Sequence, residues 1–171
     1  MNVDLIQLSE RIYLFPFQRE TDQPNLFYIR GDAFSAAIDA GQSERHVNAF
    51  YQALRKENLP LPAYTLITHW HWDHTVGLPY VRGETVGSDW TKEKLNGVRL
   101  WAWTESAMRE REEKGLDIPF CGECIRKEYP DLSKIRVVSV QKGIDSPETI
   151  DLGGAHLRLI PMDSPHSRDA M

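Results

Sequence analysis

Apolar residues recur along this chain in two rhythms, the alternation of strands and the three-to-four spacing of helices. Ile6 to Phe17 carries Ile12 and Leu14 in partial alternation and stops near Pro16, so it reads as one strand. Leu26-Phe27-Tyr28-Ile29 and Ala36-Ala37-Ile38 read as two more, preceded by a turn at Pro24-Asn25 and split by Gly31-Asp32. This opening is a β-meander. Ser43 can cap a helix whose Val47, Phe50, Tyr51 and Leu54 follow the i, i+3, i+4, i+7 spacing of a buried stripe, and Asn58 and Pro60 end it. Ala63 to Thr68, rich in apolar and β-branched residues, reads as a buried strand, and Glu84 to Gly87 as a short one.

The rhythm then changes. Val98, Trp101, Ala102 and Met108 fall on one helical stripe that Gly115 closes, and residues from about 92 to 130 form a long helical excursion between strands. Such insertions in α/β enzymes often cover a cleft, which makes this segment the candidate lid. Ile135 to Val140, Thr149 to Leu152 and Ala155 to Ile160 read as strands, with Gly153-Gly154 as the turn between the last two. In the final strand His156 and Arg158 share one face and Leu157 and Leu159 the other, which makes His156 a solvated residue. His46, on the first helix, carries no signal of a role.

Composition narrows the class. With 171 residues, 41% hydrophobic and 26% charged, the chain supports one ordinary core, hence a single domain over 1–171. A net charge of −5 argues against a nucleic-acid partner. Met1-Asn2-Val3-Asp4-Leu5 lacks the basic and apolar run of a secretory signal, no stretch is long enough to span a membrane, and Cys121 and Cys124 are the only cysteines. A cytoplasmic protein is expected. The C-x-x-C of Cys121 and Cys124 reads as ordinary thiols, with zinc shared with a second chain or a reversible disulfide as alternatives. The charged run Arg109 to Lys114 is a solvated helix face.

The strongest chemistry sits in Thr68-His69-Trp70-His71-Trp72-Asp73-His74-Thr75, where three imidazoles and a carboxylate fall within six residues at the end of a strand. Such donors suit Zn²⁺ and other borderline divalent ions, and a chance cluster on a solvated loop is the alternative. If the chain stays extended, His69, His71 and Asp73 share one face while Trp70 and Trp72 point the other way. Those tryptophans read equally as core packing or as substrate contact.

At these residues the sequence resembles the metallo-β-lactamase superfamily, whose His-x-His-x-Asp-His signature is matched without a gap by His69, His71, Asp73 and His74. The resemblance implies an αββα sandwich, incomplete here and carrying the helical insertion at about 92–130. It implies that His69, His71 and a later histidine, for which His166 is the match, bind a first metal. Asp73 and His74 would bind a second, with Asp73 also orienting the attacking water. Zn²⁺, one or two ions, is the expected cofactor, with Mn²⁺ or Fe²⁺ as alternatives. The implied function is a hydrolase in which metal-bound hydroxide attacks an ester, amide, thioester or phosphodiester centre of a small-molecule substrate. The alternatives are a non-catalytic metal-binding or partner-binding fragment and a mononuclear-iron sulfur dioxygenase.

Two departures qualify the match. The family usually has glycine before its third histidine, whereas Pro165 here fixes φ and removes an N–H, so this loop cannot copy a glycine with positive φ. The family's later bridging aspartate and final histidine have no counterpart, since Asp169 follows too closely behind His166 to be assigned that role. An incomplete sandwich leaves an apolar face, so a homo-oligomer or a complementing chain is expected to cover it.

Overall fold

The structure, a computed structural model, describes residues 3–171; Met1 and Asn2, and with them part of the N-terminal reading above, lie outside the described residues. Strands β1 (Ile6–Gln7) and β2 (Ile12–Phe15) form a hairpin, so the single strand expected over Ile6 to Phe17 is two. Ser9 divides it. Its hydroxyl accepts from the backbone N–H of Ile12 at 3.2 Å while Leu8 N donates to Ile12 O at 2.8 Å, turning the chain where alternation alone ran on.

The meander continues through β3 (Leu26–Arg30) and β4 (Ser35–Ile38). Helix α1 (Glu44–Lys56) then crosses over to β5 (Tyr64–Leu66), which pairs parallel to β4. Ser43 caps α1 through the N–H of His46, as its position suggested. A four-residue turn of helix, α2 (Trp72–Thr75), and β6 (Glu84–Ser88) follow, and then α3 (Asp89–Val98), α4 (Glu105–Glu113) and α5 (Pro119–Glu128). Strand β7 (Lys142–Ile144) completes a seven-stranded sheet in sequence order, antiparallel from β1 to β4 and parallel from β4 to β7. A separate hairpin of β8 (Glu148–Asp151) and β9 (His156–Leu159) begins a second sheet.

Alternation along the strands gives the sheet two apolar faces. Tyr13, Phe15, Leu26, Tyr28 and Ala37 pack under Val47, Phe50, Tyr51 and Leu54 of α1. Ala36, Leu66, Val86 and Ile144 point the other way and meet Leu152 and Leu159 of the second hairpin. Each such side chain fully withdrawn from water contributes about 1.5–3 kcal/mol. Helix, seven-stranded sheet and two-stranded sheet are three successive layers of the αββα arrangement, with the helical insertion attached at one end. Among the described residues no helix is long and apolar enough to cross a membrane.

Two further expectations change. The stripe from Val98 to Met108 is not one helix, because α3 stops at Val98 and α4 starts afresh after Thr104, whose hydroxyl accepts from Ala107 N. Trp101 and Trp103 lie in the connection and pack against Arg111 of α4, which keeps the chain off the helical path. Ile135 to Val140 forms no strand; pairing with β6 begins only at Lys142. The edge of β6 is instead bonded by a side chain, Thr85 N donating to Gln141 Oε1 at 2.8 Å and Gln141 N to Thr85 Oγ1 at 2.9 Å. Val137, Val138 and Val140 still pack their side chains into the cores beside it.

The helical insertion has a small core of its own, in which Met108, Ile125 and Ile135 close over Val76 with Trp72 and Trp103 alongside. Gly77, just beyond, lets the backbone after the histidine motif lie against the loop after β4. A Cβ there would meet Ala40 O at 2.0 Å, and Gly77 N donates to Gly41 O at 2.8 Å. Gly77→Ala is therefore expected to destabilise the fold by about 1–3 kcal/mol through overpacking against backbone. A urea midpoint unchanged from the unsubstituted chain would contradict it.

Candidate metal centre

Strand β5 carries the chain to Thr68, whose N–H and hydroxyl both donate to Asp39 Oδ1, at 2.8 and 2.9 Å. Asp39 closes β4 with φ of 65°, a left-handed conformation that aspartate tolerates better than most residues. The Thr68 hydroxyl also lies 3.0 Å from His69 Nδ1. With its own proton directed to Asp39 it accepts Nδ1–H, which leaves the lone pair of His69 on Nε2.

That lone pair faces two other imidazoles. His69 Nε2 lies 3.1 Å from His71 Nδ1 and 3.1 Å from His166 Nε2, and the three ligand atoms all fall within 4.8 Å of one another. Nitrogens around a tetrahedral Zn²⁺ at 2.0–2.1 Å stand about 3.3–3.4 Å apart, close to the two 3.1 Å separations made by His69 Nε2. Burial, reinforced by the neighbouring His74 and His71, lowers His69 to about 4. Burial and His166 likewise lower His71. Both are thus neutral near pH 7, the form that binds metal.

The motif does not stay extended, as the two-residue spacing suggested it might be read. Thr75 Oγ1 donates back to Trp70 O at 3.1 Å and to His71 O at 2.9 Å, winding Trp72 to Thr75 into α2. Asp73 and His74 therefore leave the alternation and pair with each other beside the trio, Asp73 Oδ2 to His74 Nε2 at 3.1 Å. The His74 ring is 4.2 Å from that of His69, centroid to centroid, and its Nδ1 contacts Asp39 Oδ2 at 2.8 Å. Burial alone would lower His74, but the hydrogen bonds and charges of Asp39 and Asp73 push it up to about 10. Burial opposes ionisation of Asp73, yet the bond to His74 holds its carboxyl below the usual range.

His166 reaches the cluster despite Pro165. Its loop is closed by Ser164, which donates from Oγ to Ser167 O at 3.0 Å and accepts from Ser167 N at 3.2 Å. Asp169 then ties the loop to the motif: its buried Oδ2 accepts from Trp70 N at 2.8 Å and from Thr91 Oγ1 at 2.7 Å, and its Oδ1 from Ser167 Oγ. The sequence reading gave Asp39, Thr68 and Asp169 no role. Asp39 and Thr68 had one available signal, being at adjoining strand ends next to the motif, where α/β folds gather polar groups.

The remaining candidates lie elsewhere. His156 is exposed, 3.6 Å from Asp151. His46 is buried with both ring nitrogens unpartnered, which its place on an ordinary amphipathic stripe did not reveal. Cys121 and Cys124 are free thiols outside the histidine cluster, and burial pushes Cys121 up to about 12.

No protein-family model matches the sequence, and no curated protein matches it. Solved structures do match. BJP-1, a subclass B3 metallo-beta-lactamase of Bradyrhizobium japonicum, superposes with a TM-score of 0.65 at 18% identity, over 98% of this chain and 54% of the other. A metallo-beta-lactamase from Cronobacter sakazakii gives 0.66 at 13% identity over 98% and 57%, and FEZ-1 from Legionella gormanii gives 0.62 at 15% over 98% and 55%. The fold of this chain is the metallo-β-lactamase fold. The chain spans about half the length of those structures, and it carries the three clustered histidines within that half.

Proposed function

We propose that this chain carries the nucleophile-activating half of a metal-dependent hydrolase acting on a small molecule. The convergence of His69 Nε2, His71 Nδ1 and His166 Nε2 supports this reading. These three nitrogens would hold the cation, Zn²⁺ being the ion best suited to an all-imidazole set, with Mn²⁺ or Fe²⁺ as alternatives. Bound there with a free position, it supplies Lewis acidity and lowers the pKa of a water to about 7.

The chain's own residues supply the rest. Thr68 and Asp39 fix the ring of His69. Asp73, whose carboxyl is held below the usual range by its bond to His74, is the group we assign to accept a hydrogen bond from an attacking water. His74, held between two carboxylates, keeps Asp73 in that orientation, or serves with it as a second cation site once its proton is displaced. Residues 92–130 act as the lid or wall over this centre. The test is hydrolysis of chromogenic ester, thioester, lactam and phosphodiester substrates by the zinc-loaded 171-residue chain. At least one is expected to be turned over, with loss of at least a hundredfold in His71→Ala, and no turnover of any class sinks the hydrolase reading for this chain.

A second reading has a specific motive, the half-length coverage of its structural neighbours. In it the chain binds metal but turns over substrate only with a complementing chain. Zinc uptake without hydrolysis, and hydrolysis restored by a second polypeptide, would distinguish it.

A further inference from the structure

Beside His71 is a cavity of about 220 Å³ to whose wall four tryptophans contribute. Trp70 and Trp72 enter it from the motif, and Trp101 and Trp103 from the connection between α3 and α4, while Ile118 and Cys121 close it from α5 and the residue before it. His71 and Asp73 also line it, so it borders the proposed reacting centre on one side.

We propose that this cavity is the binding site for a neutral, apolar ring-bearing group of the substrate, one aromatic or alicyclic ring with a short substituent, next to the bond that is cleaved. The inference rests on the reading of the histidine trio as the reacting centre. Size comes first: an apolar cavity of about 150 Å³ accepts benzene, so this one takes a single ring and a few further atoms.

Charge decides the class. A ring of tryptophans would ordinarily suit a cation, but the protein's own cations already use those rings. The Arg111 guanidinium lies 4.7 Å from the centroid of Trp101 and 5.0 Å from that of Trp103, and Lys94 Nζ is 4.5 Å from that of Trp70. Arg111 is buried, its Nη1 donates to Ala102 O at 3.0 Å, its Nε and Nη2 have no hydrogen-bond partner, and Asp117, Glu110 and Glu112 supply the opposing charge. A ligand of either charge therefore meets a like charge beside each opposite one, Arg111 behind the wall or Asp73 and Asp117 in the lining, and gives up its hydration in a largely apolar site. A neutral apolar ring meets neither penalty and gains about 25 cal/mol for each Å² it withdraws from water.

The wall is also braced from behind. Trp101 packs edge-on against Trp70 at 6.2 Å and tilted against Trp103 at 6.2 Å, with Arg111 stacked on the pair. Motif and helical insertion therefore share one aromatic surface.

The experiment compares three ligands of closely similar shape by ligand-observed NMR titration of the metal-free chain: benzyl alcohol, benzoate and benzylammonium. Benzyl alcohol is expected to bind at least tenfold more tightly than either ion. Ile118→Trp, which narrows the cavity, and Trp101→Ala, which removes a wall, are each expected to weaken it at least tenfold, with circular dichroism and zinc uptake retained as controls of folding. Equal affinity for the three ligands, or benzyl alcohol binding indifferent to both substitutions, overturns the proposal. These outcomes are independent of turnover: if no ester is hydrolysed but the neutral ring binds as described, the ring-binding site stands and its placement beside a cleaved bond falls with the hydrolase reading.

Discussion

Saturating zinc is expected to raise the unfolding temperature of the 171-residue chain by about 5–10 °C, and His69→Ala to abolish that rise. The size follows from linkage. A ligand present at a hundred times its dissociation constant stabilises by about 2.7 kcal/mol, and a chain of this length gains roughly 2–4 °C per kcal/mol. His69 is the residue to remove because its Nε2 is the nitrogen that faces both of the others at 3.1 Å; without it only two imidazoles remain, fewer than a zinc site ordinarily uses. Burial holds its pKa near 4, so zinc displaces no proton from it at neutral pH and the rise should be present at pH 7. His156→Ala is the matched control, an exposed histidine whose loss should leave the zinc effect whole. The measurement is a thermal melt with and without zinc, and a full rise in His69→Ala would remove the trio from consideration as the metal site.

That site was largely legible in the sequence, for a physical reason: a metal needs donor atoms of particular kinds, and donors crowded at one strand end are visible without coordinates. The histidine motif and its place after β5 could be read directly, as could α1, whose Ser43 cap and buried stripe both hold. His166 could be nominated only through the family resemblance, and its reach depends on Ser164 and Asp169, local bonds that no periodicity encodes. The errors share a cause. Ile135 to Val140 has strand composition, but its neighbour's edge is taken by the side chain of Gln141. The stripe from Val98 to Met108 has helical spacing, but a Thr104 cap and stacking on Arg111 divide it. In both, a side chain overrides the backbone pattern, from 56 residues away in the first and from within ten residues in the second. Asp39 shows the same blindness at the site itself, since its contacts to Thr68 and His74 span 29 and 35 residues.

The second large effect lies away from the metal, at His46, where acid is expected to weaken the metal-free fold. Its ring is 1% exposed, packs against Phe15 with centroids 5.8 Å apart, and has no hydrogen-bond partner at either nitrogen. Burial lowers it to about 4, the charge of Glu128 only partly offsetting that. In the unfolded chain the imidazole takes up its proton near pH 6.5. Between those values the unfolded state binds more protons than the folded one, so stability is complete above pH 6.5 and declines as pH falls towards 4. At 1.36 kcal/mol per pH unit, the loss from this one residue is about 3 kcal/mol. His46→Phe keeps a flat ring against Phe15 and forfeits no hydrogen bond, so it removes the proton uptake with little cost at neutral pH. Urea unfolding of both forms at pH 7 and pH 4, without zinc, isolates the residue from the other histidines because they are common to both. The unsubstituted chain should lose about 3 kcal/mol more than His46→Phe over that interval; parallel losses would mean that His46 is protonated, or hydrated, inside the native fold.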